Sequence, residues 1–172
     1  MELQTPNLKL KPYSPSHLLA LIEGVTQFHE QFGLPVADGL REFLVSDEVS
    51  PEWLAALQTA TEADPWVHGF AVIHLEDNVV IGTAGFYGPP DEEGLAEIAY
   101  GIAPGYQGRG FATEAAAALI KFALDSGRVT KLQAHTLPGP NASTSVLTKC
   151  GFTFAGEVNH PDDGLVWRWL HE

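Results

Sequence analysis

A single cysteine, Cys150, and a single methionine stand among 172 residues. One thiol excludes an internal disulfide framework, and with no secretory pattern it points to a reducing compartment, the cytoplasm. Basic residues are scarce as well: nine Lys and Arg face 22 Asp and Glu, a formal charge of −13. So few cations cannot track a phosphate backbone, and nucleic acid is not an expected partner. An acidic surface instead concentrates cationic ligands near the protein, or simply keeps it soluble. Long apolar runs are missing too. The stretches around Phe70 to Leu75 and Ala115 to Leu124 are too short or too interrupted to cross a bilayer, so no membrane association is expected. Met1 to Lys11 carries polar residues and prolines where a signal peptide needs an apolar core. No pair of histidines has the short spacing of a metal site, and no metal is expected.

What is present suits one ordinary domain over residues 1–172. The composition is 45% hydrophobic, enough for a core without crosslinks, and no repeat, low-complexity run or linker interrupts it. Leu8 and Leu10 alternate with Lys9 and Lys11 before Pro12, a short first strand. Ser16 can cap a following helix carrying Leu18, Leu19, Ile22, Val25 and Phe28, which Gly33 and Pro35 end. Ser50 and Pro51 open a second helix with Trp53, Leu54 and Leu57 on one stripe. Strand-like runs at Phe70 to Leu75 and Val79 to Phe86 flank Asp77-Asn78, a hairpin. Gly94 to Ile102 is a further strand, with Leu95, Glu97, Ala99 and Gly101 on one face and Ala96, Ile98, Tyr100 and Ile102 on the other. Phe111 to Leu124 is alanine-rich and helical. Lys131 to Leu137 reads as a strand, Asn141 to Lys149 as a short helix ended by Gly151. Phe152 to Val158 and Leu165 to Leu170 close the chain as a hairpin around Pro161-Asp162-Asp163-Gly164. This order predicts a mixed α+β fold with helices on the faces of a central sheet.

Between the central strand and its helix lies Gln107-Gly108-Arg109-Gly110-Phe111-Ala112-Thr113. A diphosphate needs free backbone N–H groups, close approach and the positive end of a helix dipole. Gly108 and Gly110 remove side-chain obstruction, the amides of Gly110 to Thr113 open the helix, and Arg109 adds a positive charge. Glycines before a helix also serve turns for purely conformational reasons. The segment is not a Walker loop, since no Gly-Lys-Ser/Thr follows, and its glycine spacing is not that of a dinucleotide fingerprint.

The stretch from Glu97 through Tyr106 and the glycine turn to Ala115 resembles the acetyl-CoA motif of GNAT N-acetyltransferases. Gln107, Gly110 and Ala112 fill the three places of its Gln/Arg-x-x-Gly-x-Gly/Ala core. Asn141 to Phe152 resembles the family's later helix with its Gly-Phe ending, and Leu8 to Ser14 its first strand. The likeness covers nearly the whole chain and is nearest the branch of ribosomal-protein N-acetyltransferases (RimJ/RimL-like).

That resemblance implies a mostly antiparallel, splayed sheet of about seven strands flanked by helices, and transfer of an acetyl group from acetyl-CoA to a primary amine. It implies that the strand before the turn offers its backbone to the pantetheine arm, through Ile98, Tyr100, Ile102 and Ala103. The pyrophosphate would rest on Gln107, Gly108, Arg109, Gly110, Phe111, Ala112 and Thr113. Glu97 matches the place where many relatives carry a general base; an exposed strand carboxylate, or one that binds the substrate ammonium, is the other reading. His135 is an alternative base, because imidazole titrates in the useful range.

Two departures from the family's pattern stand out. Pro140 occupies the place of a pantetheine-contacting asparagine, and Asn141, one residue later, either substitutes for it or caps the helix. Leu147 occupies the place of the tyrosine that protonates the departing thiolate in many relatives. Ser143 or a water then has to serve, unless Ser143 only caps or packs. A noncatalytic acyl-CoA-binding or sensor domain is therefore the competing class. Cys150 suits packing better than nucleophilic catalysis, and Trp167-Arg168-Trp169 suits strand alternation better than a binding cage. The segment from Gly33 to Ser50, with Asp38, Glu42, Asp47 and Glu48, is a candidate to shape the choice of acceptor, which is either a protein N-terminus or a small amine. Dimers are common in the family, so the resemblance allows a homodimer.

Overall fold

The computed structural model describes residues 1–45 and 50–172. Eight strands make one sheet: β1 (Leu3–Gln4), β2 (Leu8–Pro12), β3 (Phe70–His74), β4 (Val79–Phe86), β5 (Leu95–Ile102), β6 (Lys131–Thr136), β7 (Thr153–His160) and β8 (Gly164–His171). Their spatial order is β1-β2-β3-β4-β5-β6-β8-β7. Every neighbouring pair is antiparallel except β5 and β6. The mixed, mostly antiparallel sheet expected from the sequence is present with one more strand than the family likeness implies. That addition is β1, two residues long and paired Leu3 to Leu10 at the edge; two residues give alternation too little length to register.

Among the described residues, seven helices cover the two faces. One face carries α1 (Pro15–Glu23), α2 (Val25–Phe32), α3 (Leu40–Leu44) and α4 (Pro51–Thr59) over a core that includes Leu21, Phe28, Leu40, Leu57, Ile73 and Val80. The other carries α6 (Phe111–Asp125) and α7 (Ala142–Lys149), whose Ala115, Leu119, Ala123 and Leu147 pack on Phe70, Ile81, Ala96 and Leu132. Short α5 (Pro65–His68) leads into β3. Small residues at Ala115, Ala116 and Ala123 of α6 are fully buried, so the helix backbone lies close to the sheet.

Two local expectations are corrected. Ser14, not Ser16, caps α1: its hydroxyl accepts the His17 amide at 3.1 Å, and His17 Nδ1 accepts the Ser14 amide at 3.0 Å. Pro15 at the first helical position needs no amide partner, which moves the helix start upstream of Ser16. The single helix expected through Phe28 is two helices hinged at Gly24, which ends α1 and begins α2. Glycine is a poor helix interior residue, and apolar periodicity continues across the break because both halves bury the same face. Ser50 does cap α4, accepting the Trp53 amide at 3.3 Å. Asp47 and Glu48, proposed with Asp38 and Glu42 to shape acceptor choice, lie outside the described residues.

Candidate active site

The site grows from one irregularity of the sheet. β5 and β6 pair in parallel only at Leu95–Lys131, Ala96–Leu132 and Glu97–Gln133. Beyond Glu97 the strands part. β5 runs on to Ile102, paired on its other side with β4 from Phe86–Ile98 to Gly82–Ile102. Half of a central strand therefore presents a backbone edge to a gap, where unpaired N–H and C=O groups can meet an extended ligand.

At the far end of that edge the chain turns into α6. A single 3₁₀ turn, Pro104–Tyr106, is tied to the β3–β4 hairpin by Tyr106, whose hydroxyl donates to Asp77 Oδ2 at 2.7 Å. Gln107 Nε2 donates to the Ile102 carbonyl at 2.9 Å, closing the turn on the strand. Gly108 and Gly110 have φ of +76° and +84°, and a Cβ on either would meet nothing within 4 Å. Backbone conformation, not crowding, demands glycine there. Gly110 is the N-cap of α6 with no side-chain cap, so among the described residues no protein acceptor meets the first-turn amides. Arg109 lies over the Phe111 and Tyr106 rings at 4.8 and 5.5 Å.

A cleft of ≈ 480 Å³ runs along this corner, lined by β5 at Tyr100 to Ile102, the turn from Tyr106 to Thr113, and α7 at Ser143, Val146 and Lys149. Gln107, Gly108, Gly110, Ala112 and Thr113, expected from the sequence to receive the pyrophosphate, lie on its wall. Phe111 reaches it while its ring is buried in the core, which leaves its amide as the usable group. Three expected residues sit elsewhere. Ala103 is buried against the opposite helices, its amide donating to Ile81 O at 2.7 Å and its carbonyl accepting from Tyr106 N at 2.9 Å. Arg109 is held over the two rings beside the cleft. Asn141 caps α7: Oδ1 accepts the Thr144 amide at 3.0 Å while Nδ2 donates to Leu137 O and Gly139 O. Of its two readings the structure favours the cap. Lys149 was missed, although Ala142, Ser145, Val146 and Lys149 fall on one helical face.

A second cavity of ≈ 500 Å³ adjoins the first, sharing Phe43, Tyr100 and Ser143 with it. Those three residues form the partition between them. Phe43 rests on Gly101, where an added Cβ would come within 2.4 Å of the ring. The Tyr100 hydroxyl donates to the Ser143 carbonyl at 3.4 Å, and burial pushes its pKa up to about 12, so it stays neutral and a donor. Leu147 is fully buried in the wall and offers no proton. A third cavity of ≈ 600 Å³ continues from the second through Tyr87 and His135, and adds Glu97, His160, Asp162 and Asp163.

Glu97 and His135, each expected separately as a base, are brought together: Nδ1 to Oε1 is 3.2 Å, with both side chains about four-fifths buried, 21% and 23% exposed. Gln133 Nε2 donates to the same Oε1 at 2.8 Å, and Arg168 Nε donates to Gln133 Oε1 at 2.9 Å. The guanidinium has only donors, so it fixes which end of the Gln133 amide faces Glu97. Sequence reading missed Gln133 and Arg168 as partners, since β6 and β8 meet only through their antiparallel pairing. His68 of α5 also faces the second cavity; its Nδ1 accepts the Asp64 amide at 3.0 Å, and burial lowers its pKa. Cys150 is half-buried, its thiol pushed up by burial, with Sγ 3.7 Å from Thr113 O, in keeping with packing. Among the described residues no group of three or more His, Cys, Asp or Glu is arranged to hold a metal ion. Nor is any described helix long and apolar enough to cross a membrane.

The cavities differ in charge. Lys149 stands in the cleft of the glycine turn, which no described carboxylate lines. Glu97, Asp162 and Asp163 stand in the third cavity, which no described Lys or Arg lines. An anionic ligand suits the first and a cationic one the last.

Comparison with known proteins agrees with this architecture. Residues 7–153 match the sequence family described as an acetyltransferase (GNAT) domain. The chain is 34% identical over 87 residues to the uncharacterized N-acetyltransferase p20 of Bacillus licheniformis, covering 51% of this chain and 49% of that protein. It is 30% identical over 89 residues to the uncharacterized N-acetyltransferase YjdG of Bacillus subtilis (strain 168), covering 52% and 51%. The match thus spans about half the length of these two relatives. In fold it is similar to RimL, the ribosomal L7/L12 alpha-N-protein acetyltransferase solved with coenzyme A, at a TM-score of 0.70 and 16% identity over 99% of this chain and 97% of that one. A GNAT-family acetyltransferase from Bacillus anthracis superposes with a TM-score of 0.66 at 19% identity, over 99% and 98% of the two chains. Matched by its sequence over the strand, turn and helix that build the cleft, the chain belongs to the GNAT acetyltransferase family.

Proposed function

We propose that the protein transfers an acetyl group from acetyl-CoA to a primary amine, directly and without a covalent enzyme intermediate. The observation that carries this reading is the open edge of β5 ending at an uncapped helix N-terminus. An extended arm with amide groups can pair along Ile98 to Ile102, while the diphosphate at its other end takes the amides of Gly108 to Thr113. Lys149 adds a cation beside that path. The arm then delivers its thioester to the partition of Phe43, Tyr100 and Ser143.

Across the partition, the amine approaches through the acidic third cavity, where Asp162 and Asp163 favour a cation. Deprotonation falls to the Glu97–His135 pair, whose imidazole lines both the second and the third cavity. The amine nitrogen attacks the thioester carbonyl, the carbon–sulfur bond breaks, and the thiolate leaves with the electron pair. Ser143, or water held there, supports its protonation, since Leu147 cannot donate and Tyr100 holds its proton tightly. The reading has the reaction run in the cytoplasm, in one catalytic domain formed by residues 1–172.

Thiol release from acetyl-CoA across a panel of amines, with product masses read for one added acetyl group, tests the reading. Turnover with at least one cationic amine is expected. Tight coenzyme A binding with no turnover on any amine or protein N-terminus instead favours an acyl-CoA sensor, for which the buried Leu147 speaks.

A further inference from the structure

The second cavity contains two imidazoles, and their polar contacts favour opposite tautomers. His68 Nδ1 accepts the Asp64 amide at 3.0 Å, so that nitrogen carries the lone pair and Nε2 carries the hydrogen. Such a ring presents a donor to the cavity and cannot take a proton there without breaking its own hydrogen bond. His135 is the reverse. Its Nδ1 stands 3.2 Å from Glu97 Oε1, a contact that a neutral ring tolerates only with its hydrogen on Nδ1, which leaves the lone pair on Nε2.

Glu97 is committed to that arrangement. Oε1 accepts the Gln133 amide at 2.8 Å and lies 3.2 Å from His135 Nδ1, and Gln133 is itself oriented by Arg168 at 2.9 Å. The chain Arg168, Gln133, Glu97, His135 runs across three neighbouring strands, β8, β6 and β5. Position separates the pair further: His135 lines both the cavity at the partition and the acidic cavity beyond it, whereas Glu97 lines only the latter. The imidazole borders both cavities, and the carboxylate borders only the acidic one.

We infer that His135 Nε2 is the base that takes the proton from the acceptor amine, and that Glu97 is a positioning residue that fixes the tautomer and orientation of His135. The inference rests on the acyl-transfer reading and assigns the roles within it. The neutral amine attacks the carbonyl carbon and a carbon–nitrogen bond forms. The ammonium has by then given its first proton to solvent; the second amine proton passes to Nε2, the carbon–sulfur bond breaks with its electron pair on sulfur, and the thiolate takes a proton by way of Ser143 or the water beside it. The imidazolium returns its proton to solvent, so protons and charge balance over the cycle.

Two measurements decide the matter. In the unliganded wild-type protein labelled with ¹⁵N on histidine, long-range proton–nitrogen correlation at a pH where the rings are neutral should report His135 protonated at Nδ1 and His68 at Nε2. In Glu97→Ala, His135 should relax toward the commoner Nε2–H form while His68 is unchanged. In turnover assays, His135→Ala should lower kcat by about 100-fold or more with coenzyme A affinity retained, and added imidazole should restore part of it. Glu97→Ala should lower kcat without rescue by formate. An Nε2–H tautomer for His135 in the wild type, or formate rescue of Glu97→Ala beside a fully active His135→Asn, overturns the assignment while leaving acyl transfer intact. Wild-type protein that acetylates nothing removes the acyl-transfer reading and this assignment with it.

Discussion

His17 completes the capping box of α1 in place of the usual Glu or Gln, accepting the Ser14 amide through Nδ1. Protonation of the ring destroys that acceptor. Burial first, and Lys11 second, lower its pKa below the ordinary value. Because the folded pKa lies below the unfolded one, the unfolded chain binds more protons as the pH falls. The contribution is complete above about pH 6.5 and is lost as the pH drops towards the folded value. His17→Gln keeps an acceptor that does not titrate. Thermal melts should show the two proteins alike at pH 8 and the wild type losing more stability by pH 5; parallel losses contradict this role. At the same scale, Glu97 was legible because period two places it beside Ala99 and Gly101 on one face, and His135 because a strand histidine is chemically conspicuous. Gln133, Arg168, His68 and Phe43 were not. Each matters through a neighbour at least 30 residues away or, for His68, through a four-residue helix that gives no periodic signal.

Strand β5, the glycine turn and α6 form the unit that, on the proposed reading, holds the coenzyme. Gly110 holds φ at +84° with open space where a side chain would go. Gly110→Ala therefore meets no steric clash but incurs the left-handed penalty of about 1–2 kcal/mol. If the helix keeps its first turn, the melting temperature falls by several degrees and coenzyme A binds more weakly as the amides rotate away. A variant with wild-type affinity would separate the turn from the ligand. This unit was readable because all its parts are contiguous: alternation, then glycine turn, then an alanine-rich helix. The N-terminal helices were less so. Ser16 and Ser14 are both acceptable caps by composition, and only the placement of Pro15 at the first helical position decides between them. Apolar spacing likewise ran through Gly24 without marking the hinge, and the parting of β5 from β6 after Glu97 leaves no trace in either strand's own pattern.

Over the whole molecule, the charge of −13 is distributed to a purpose. The third cavity collects Glu97, Asp162 and Asp163, whereas the cleft of the glycine turn carries Lys149. On the proposed reading, a cationic acceptor would be drawn towards the protein by its overall field and towards the acidic end by its local one. The Debye length shrinks from about 10 Å at 0.1 M salt to about 3 Å at 1 M. Accordingly kcat/KM for a dicationic amine should fall several-fold over that range, and that for a monoamine less; equal sensitivity would argue against electrostatic guidance. Composition announced the net charge, but the separation of its two ends depends on the β7–β8 turn bringing Asp162 and Asp163 to the cavity of Glu97 and His135.

Coenzyme A titrated into the purified protein by calorimetry bears most directly on the central claim, that the edge of β5 and the mouth of α6 hold a pantetheine and its diphosphate. One site per chain with micromolar affinity, weakened in Gly110→Ala and unaltered in His135→Ala, is the predicted result. No heat of binding at millimolar ligand, with the protein shown to be folded, would contradict it.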